Sequence, residues 1–154
     1  MKTGLKPKKF FVVGGKGLSK VSKLNAFDMA LKKAGISQCN LVPVSSILPR
    51  DIEEISPVQI EAGEITFVIM ARQDGEGGEE ISAGLAWART NDFGLVVEGH
   101  GSSSEDLKVQ LKNKVMEMAD IRNLKIKSLN YRIEELKIPL GYYGSVIVAL
   151  VLVL

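Results

Sequence analysis

Val146-Ile147-Val148-Ala149-Leu150-Val151-Leu152-Val153-Leu154 is an unbroken apolar run of nine residues. A membrane-spanning helix needs about 20 such residues, so this run is less than half long enough. Its valines, isoleucine and leucines favour extended backbone, and it lacks the polar alternation of a half-solvated strand. It reads as a strand covered on both faces, which requires a further layer on each side of its sheet.

Upstream segments supply partners for it. Phe10–Val13 reads as a short strand, stopped at a turn by Gly14 and Gly15. Gly14-Gly15-Lys16-Gly17-Leu18-Ser19 lacks the spacing of a phosphate loop, so a mobile glycine loop is expected there. Asn25 is placed to cap a helix to Ala34, with Phe27, Ala30, Leu31 and Ala34 as its buried stripe and Gly35 as its terminator. Leu41–Val44 is strand-like, and Pro43 puts it at an edge or marks a strand end. Pro49–Pro57 reads as a connection, Ile65–Ala71 as a strand, and Asp74–Glu80 as a solvated loop. Ile81–Ala88 fits strand or helix, and Phe93–Val97 fits a strand. Ser103 and Asp106 make a capping-box-like start to a helix striped by Leu107, Leu111, Val115 and Met118. The expected fold is α/β (α+β): one domain over residues 1–154, a layered sandwich of β-sheet covered by helices.

Composition narrows the function. The 154 residues are 45% hydrophobic and 25% charged, enough to build a core without disulfides. Twenty basic and 18 acidic residues leave a net charge of +2, too balanced to argue for nucleic acid. The basic stretch Lys2–Lys9 has no interleaved aromatic platform and reads as a solvated tail. One cysteine, Cys39, and one histidine, His100, exclude an internal disulfide and a Cys/His metal cluster. A single thiol and no signal-like segment suit a cytoplasmic location without membrane attachment.

Val44-Ser45-Ser46-Ile47 alone says little, because serine pairs usually mark turns. Its surroundings say more. Leu24-Asn25-Ala26-Phe27-Asp28, Ala34-Gly35-Ile36 and Asn40-Leu41-Val42-Pro43-Val44-Ser45-Ser46-Ile47-Leu48-Pro49 are followed by Gly78-Glu79-Glu80-Ile81-Ser82-Ala83 and Gly94-Leu95-Val96-Val97-Glu98. In residue type and spacing this series resembles the pyruvoyl-dependent arginine decarboxylase family across nearly the whole chain.

That resemblance implies autocatalytic cleavage between Ser45 and Ser46, giving chains 1–45 and 46–154. The Ser46 hydroxyl would attack the Ser45 carbonyl, and elimination and hydrolysis would leave a covalent pyruvoyl group on residue 46. Because a planar amide resists such attack, a strained backbone is expected at the pair. The pyruvoyl ketone would form a Schiff base with the α-amine of arginine and accept electrons as carbon dioxide leaves, yielding agmatine for polyamine synthesis. Glu98 matches the family's proton donor. Asp28 matches a position that can hold a guanidinium through two parallel hydrogen bonds. Asn40 and Ser45 match further substrate-binding positions. Neither pyridoxal phosphate nor a metal is implied. Trimers or paired trimers, with sites between subunits, are.

Gly99-His100-Gly101 departs from the larger or acidic residues often found there. It reads as a flexible segment, with His100 either a titrating group of the pocket or, the favoured reading, an ordinary turn residue. Two other readings stay open: an uncleaved, non-enzymatic homologue, and a pyruvoyl decarboxylase of a different amino acid.

Overall fold

The computed structural model describes residues 1–154. Its elements run β1 (Lys9–Ser19), α1 (Lys23–Ala34), β2 (Asn40–Pro43), β3 (Ile47–Leu48), β4 (Glu53–Glu54), β5 (Ile65–Glu76), β6 (Glu80–Thr90), β7 (Gly94–Gly101), α2 (Ser104–Ile121), β8 (Ile126–Lys137) and β9 (Tyr143–Val153). They form a five-stranded mixed sheet, β2-β5-β9-β1-β4, and a four-stranded antiparallel sheet, β3-β7-β6-β8. The two sheets pack face to face, with α1 outside the first and α2 outside the second, as the expected α+β sandwich.

β9 explains the apolar run that opened the reading. It lies at the centre of the five-stranded sheet, antiparallel to both β1 and β5. Val146, Val148 and Leu150 face the second sheet, while Ile147, Ala149 and Val151 face α1. Both faces are dry, so alternation has no reason to appear.

The glycine run after Val13 corrects the expected turn and mobile loop. β1 continues through Gly14, Gly15, Lys16 and Gly17 to Ser19, paired residue by residue with β9. A Cβ at Gly15 would collide with the Ala30 carbonyl oxygen, and one at Gly17 with the Ala26 carbonyl oxygen. These glycines are a seat for α1, which presents buried Ala26 and Ala30 to them. Close backbone packing, which turn propensity cannot report, is the reason.

α1 begins three residues earlier than expected, its N-cap moving from position 25 to position 22. Ser22, not Asn25, is the N-cap, and its Oγ accepts from the Asn25 N–H at 3.0 Å. Gly35 ends the helix at φ 81°, as a left-handed terminator should. On the same face of the sheet the Arg72 guanidinium lies 3.5 Å from the Phe27 ring centroid. Asp74 holds Arg72 through bonds of 3.0 and 2.8 Å and accepts from Ser145 Oγ at 2.8 Å. Burial raises the Asp74 carboxyl, but the hydrogen bonds from Arg72 and Ser145 and the charges of Arg72 and Lys23 outweigh it. The net position is below the usual carboxylate value. Asp74 to Glu76 therefore belong to β5 rather than to a loop, and only residues 77–79 turn.

The second sheet is laid out by small residues. On β6, Ile81, Ala83, Leu85 and Trp87 enter the core between the sheets, while Ala86 and Ala88 face α2. α2 starts at the Ser103 cap, whose Oγ accepts from the Asp106 N–H, and buries Leu107, Leu111, Val115 and Ala119. Met118 is only partly buried. Pro49–Pro57 contains the two-residue strand β4, which extends the β1 edge in parallel.

Candidate active site at the sheet crossover

The chain changes sheets between Val44 and Ile47. β2 runs parallel to β5 as an edge strand, and the Val44 N–H donates to the Val68 carbonyl at 2.8 Å. Two residues later the Val96 N–H of β7 donates to the Ser46 carbonyl at 2.9 Å, and Ile47–Leu48 pair with Leu95 and Gly94. The Ser45–Ser46 peptide thus hangs between two anchored points. The Ser45 carbonyl and the Ser46 N–H make no backbone hydrogen bond. The β3–β7 ladder stops halfway at residue 46: Val96 donates to it, and Ser46 does not donate back.

This fits an attack on the Ser45 carbonyl, which leaves that oxygen and the Ser46 nitrogen to be rearranged. The strain expected at the pair takes no left-handed form, since Asn123 is the one non-glycine residue with positive φ. The unbonded peptide, pinned on both sides, is what distinguishes this serine pair from an ordinary turn.

A cleft of about 330 Å³ opens beside the pair. Val44, Ser45 and Ser46 line it together with Val96, Val97 and Glu98 of β7. Ile69 of β5 and Lys114 and Met118 of α2 complete the lining. Glu98 follows Val96 on the inter-sheet side of β7 and is solvent-exposed in the single chain. Thus Ser45, Ser46 and Glu98 are brought together, from segments about 50 residues apart.

Asp28 and Asn40 are not brought into that cleft. Asp28 is exposed on α1, which packs on the far face of the five-stranded sheet from the Ser46 cleft. Asn40 opens β2, and its Nδ2 donates to the Gly63 carbonyl at 3.0 Å. Residues 99–101 also differ from expectation. They are strand residues of β7, paired with Gly84, Ala83 and Ser82. A Cβ at Gly99 would meet Leu107 and Leu111 at 2.9 and 3.2 Å, so this glycine seats α2. His100 is an exposed strand residue rather than a turn residue, and it does not line the cleft.

Lys114 is the residue that sequence reasoning missed. Its Nζ donates to the Glu98 carbonyl at 3.1 Å. A signal existed: Lys114 and Met118 are four apart and share a helix face. Using it required knowing that this face overhangs the open edge of β7. A broader depression of about 940 Å³ lies at the C-terminal end of α1 beside residues 57–62. It contains none of the predicted residues, and its size alone gives it no chemistry.

The geometry agrees with what the chain is similar to. The family model for pyruvoyl-dependent arginine decarboxylase matches residues 9–154. A pyruvoyl-dependent arginine decarboxylase of Methanothermobacter thermautotrophicus is 40% identical over 111 residues, covering 70% of this chain and 74% of the relative. One from Methanopyrus kandleri is 38% identical over 122 residues, covering 78% and 79%. Pyruvoyl-dependent arginine decarboxylase 2 of Archaeoglobus fulgidus is 35% identical over 128 residues, covering 78% and 81%. With nearly its whole length matched and its serine pair held at a cleft, the chain belongs to the pyruvoyl-dependent arginine decarboxylase family of enzymes.

Proposed function

We propose that the chain cleaves itself between Ser45 and Ser46 and then decarboxylates L-arginine to agmatine. The observation that carries this is the Ser45–Ser46 peptide, pinned at Val44 and Ser46, unbonded in between, and lining the same cleft as Glu98.

The cleavage follows from the atoms present. The Ser46 Oγ adds to the Ser45 carbonyl carbon, and the Ser46 nitrogen leaves, so the amide becomes an ester. Loss of the Ser46 α-proton then expels the Ser45 carboxylate and leaves dehydroalanine at position 46. Water replaces its nitrogen, which departs as ammonia, and residue 46 ends as a pyruvoyl group. The half-buried Ser46, at the rim of a cleft open to water, fits both the formation of that group and access to it. Once formed, the pyruvoyl group supplies a ketone for the substrate amine and an electron sink when carbon dioxide leaves. Glu98, which lines the same cleft, delivers a proton to the α-carbon. Val96 and Val97 give the cleft an apolar lining beside residue 46.

Asp28 holds the guanidinium end, and Asn40 and Ser45 complete the substrate contacts. Since Asp28 lies on the other face of the sheet, we place it in the cleft of a neighbouring copy, within a trimer. An apolar strip flanks the cleavage point in support of this. Val42, Val44 and Ile47 are 37, 40 and 43% exposed, which a lone chain would leave against water. No helix is long and apolar enough to cross a membrane.

Intact-mass measurement tests the reading. The expected result is two fragments, residues 1–45 and 46–154, the second beginning with pyruvoyl, together with carbon dioxide release from arginine. A chain that stays whole after long incubation and releases none refutes it. Release from another amino acid in preference to arginine corrects the substrate alone.

A further inference from the structure

We infer that Lys114 is a positioning residue for the proton donor: its ammonium takes the place of the strand that β7 lacks at Glu98. The inference rests on the proposed role of Glu98, and extends it to a group outside the serine pair and the acid.

β7 is flanked by β6 on one side and by β3 on the other. β3 is only two residues long, and its ladder reaches no further than the Val96–Ser46 bond. Backbone groups two apart on a strand point to the same side. The Val96 N–H points to the β3 side, so the Glu98 N–H and carbonyl point there as well, beyond the end of β3. An extended edge of this kind normally finds a partner or remains in water. Here the Lys114 Nζ donates to the Glu98 carbonyl at 3.1 Å.

Lys114 and Glu98 are the only charged residues lining the cleft. The Lys114 bond is made to the main chain of Glu98, and no Lys114–Glu98 ion pair is formed. The backbone at Glu98 is therefore held while its carboxylate is left out of any ion pair with Lys114.

Cleavage makes this tether matter more. In the uncut chain, Val44 and Ser45 continue past β3 toward Glu98. After cleavage they belong to a separate fragment, and residue 46 is a chain end. The hold on the Glu98 edge from within the longer fragment is then the bond from Lys114, on α2 of that same fragment. α2 itself is fixed by buried Leu111 and Val115 on either side of Lys114. A misplacement of about 1 Å at a reacting group can slow turnover about 100-fold.

The test uses Lys114→Met and Lys114→Arg in the full chain, with fragment formation, kcat and KM for arginine measured on each. Lys114 is exposed, so both variants should fold, and matching thermal melting curves check this. The expected result for Lys114→Met is parental cleavage, KM within about twofold, and kcat lower by roughly 10- to 100-fold. Lys114→Arg, which retains a donor, should recover most of kcat. Unchanged kcat in Lys114→Met overturns the inference. So does a raised KM at constant kcat, which would make Lys114 a substrate-binding group instead. A parent chain that neither cleaves nor releases carbon dioxide refutes the functional reading, an outcome separate from equal turnover by parent and variant.

Discussion

The two sides of the five-stranded sheet hold different halves of the proposed chemistry. On the inner side, at the crossover to the second sheet, Ser45, Ser46, Glu98 and Lys114 share one cleft. On the outer side, α1 carries Asp28 into solvent on a platform built from Gly15, Gly17 and Phe27 under Arg72. The inner half has bond-making groups and no specific place for a guanidinium. The outer half has a carboxylate for a guanidinium and no bond-making group. On the proposed assignment a single chain separates reaction from recognition, and a site is completed where one chain's outer side meets another's inner side.

The largest effect should come from the inner side. Ser46→Ala removes the attacking oxygen, so the chain should remain whole and show no turnover. Gel migration and carbon dioxide release measure both. Ser45→Ala should still cleave, because Ser45 supplies mainly its carbonyl. If Ser46→Ala cleaves, the bond is broken elsewhere and the inner half is wrongly assigned.

Glu98→Gln should separate the two inner-side steps. The amide keeps the shape of the side chain but cannot give up a proton in the same way. Fragments should appear at the parental rate, while agmatine forms more slowly by about 10²–10⁴. Failure to cleave would move Glu98 from turnover to maturation.

Asp28→Asn probes the outer side and should act on affinity. Loss of a charged hydrogen-bond partner costs about 1.5–3 kcal/mol, roughly a 10- to 150-fold rise in KM for arginine, with cleavage unchanged. Mixing sharpens the comparison. Asp28→Asn and Glu98→Gln chains, each impaired alone, should regain activity when co-expressed, because some sites then combine an intact Asp28 with an intact Glu98. No recovery in verified mixed oligomers would mean that both residues act within one chain.

The layers were more legible than the site. β9, the stripe of α2 and the Gly35 terminator follow from hydrophobicity, periodicity and local backbone preference, which short windows contain. The glycine strands did not. Gly15, Gly17 and Gly99 read as loop signals, yet each marks where a helix backbone or side chain presses on a sheet. That information lies in the partner element, further along the chain at Ala26, Ala30 and Leu107. The serine pair was legible only through resemblance. Its distinguishing property is an unbonded peptide between two sheets, created by pairings to Val68 and Val96 that no local pattern specifies. Lys114 shows the same limit, since a lysine on a polar helix face becomes informative only once a strand edge lies beneath it.

The smallest expected effect concerns how the outer side is held, and it depends on pH. Asp74 ties Arg72 in place above Phe27, and its carboxyl sits below the usual value because Arg72, Ser145 and Lys23 outweigh the effect of burial. A carboxyl whose folded value is lowered binds protons more weakly in the folded chain than in the unfolded one. Its stabilising contribution is therefore present above the ordinary carboxylate value of about 3.9, and is lost as pH falls through the lower, folded value. Asp74→Asn should melt at a lower temperature than the parent near pH 6, and the gap should narrow as pH approaches 3. Thermal melting across that range, with KM for arginine measured near neutral pH, checks both consequences. A modest rise in KM with unchanged cleavage is expected, because a looser Phe27 sits next to Asp28 while the inner cleft is untouched. A constant melting gap across the range would mean that Asp74 acts through packing rather than charge. A fall in cleavage rate would mean that the two sides of the sheet are coupled more tightly than their separate hydrogen bonds indicate.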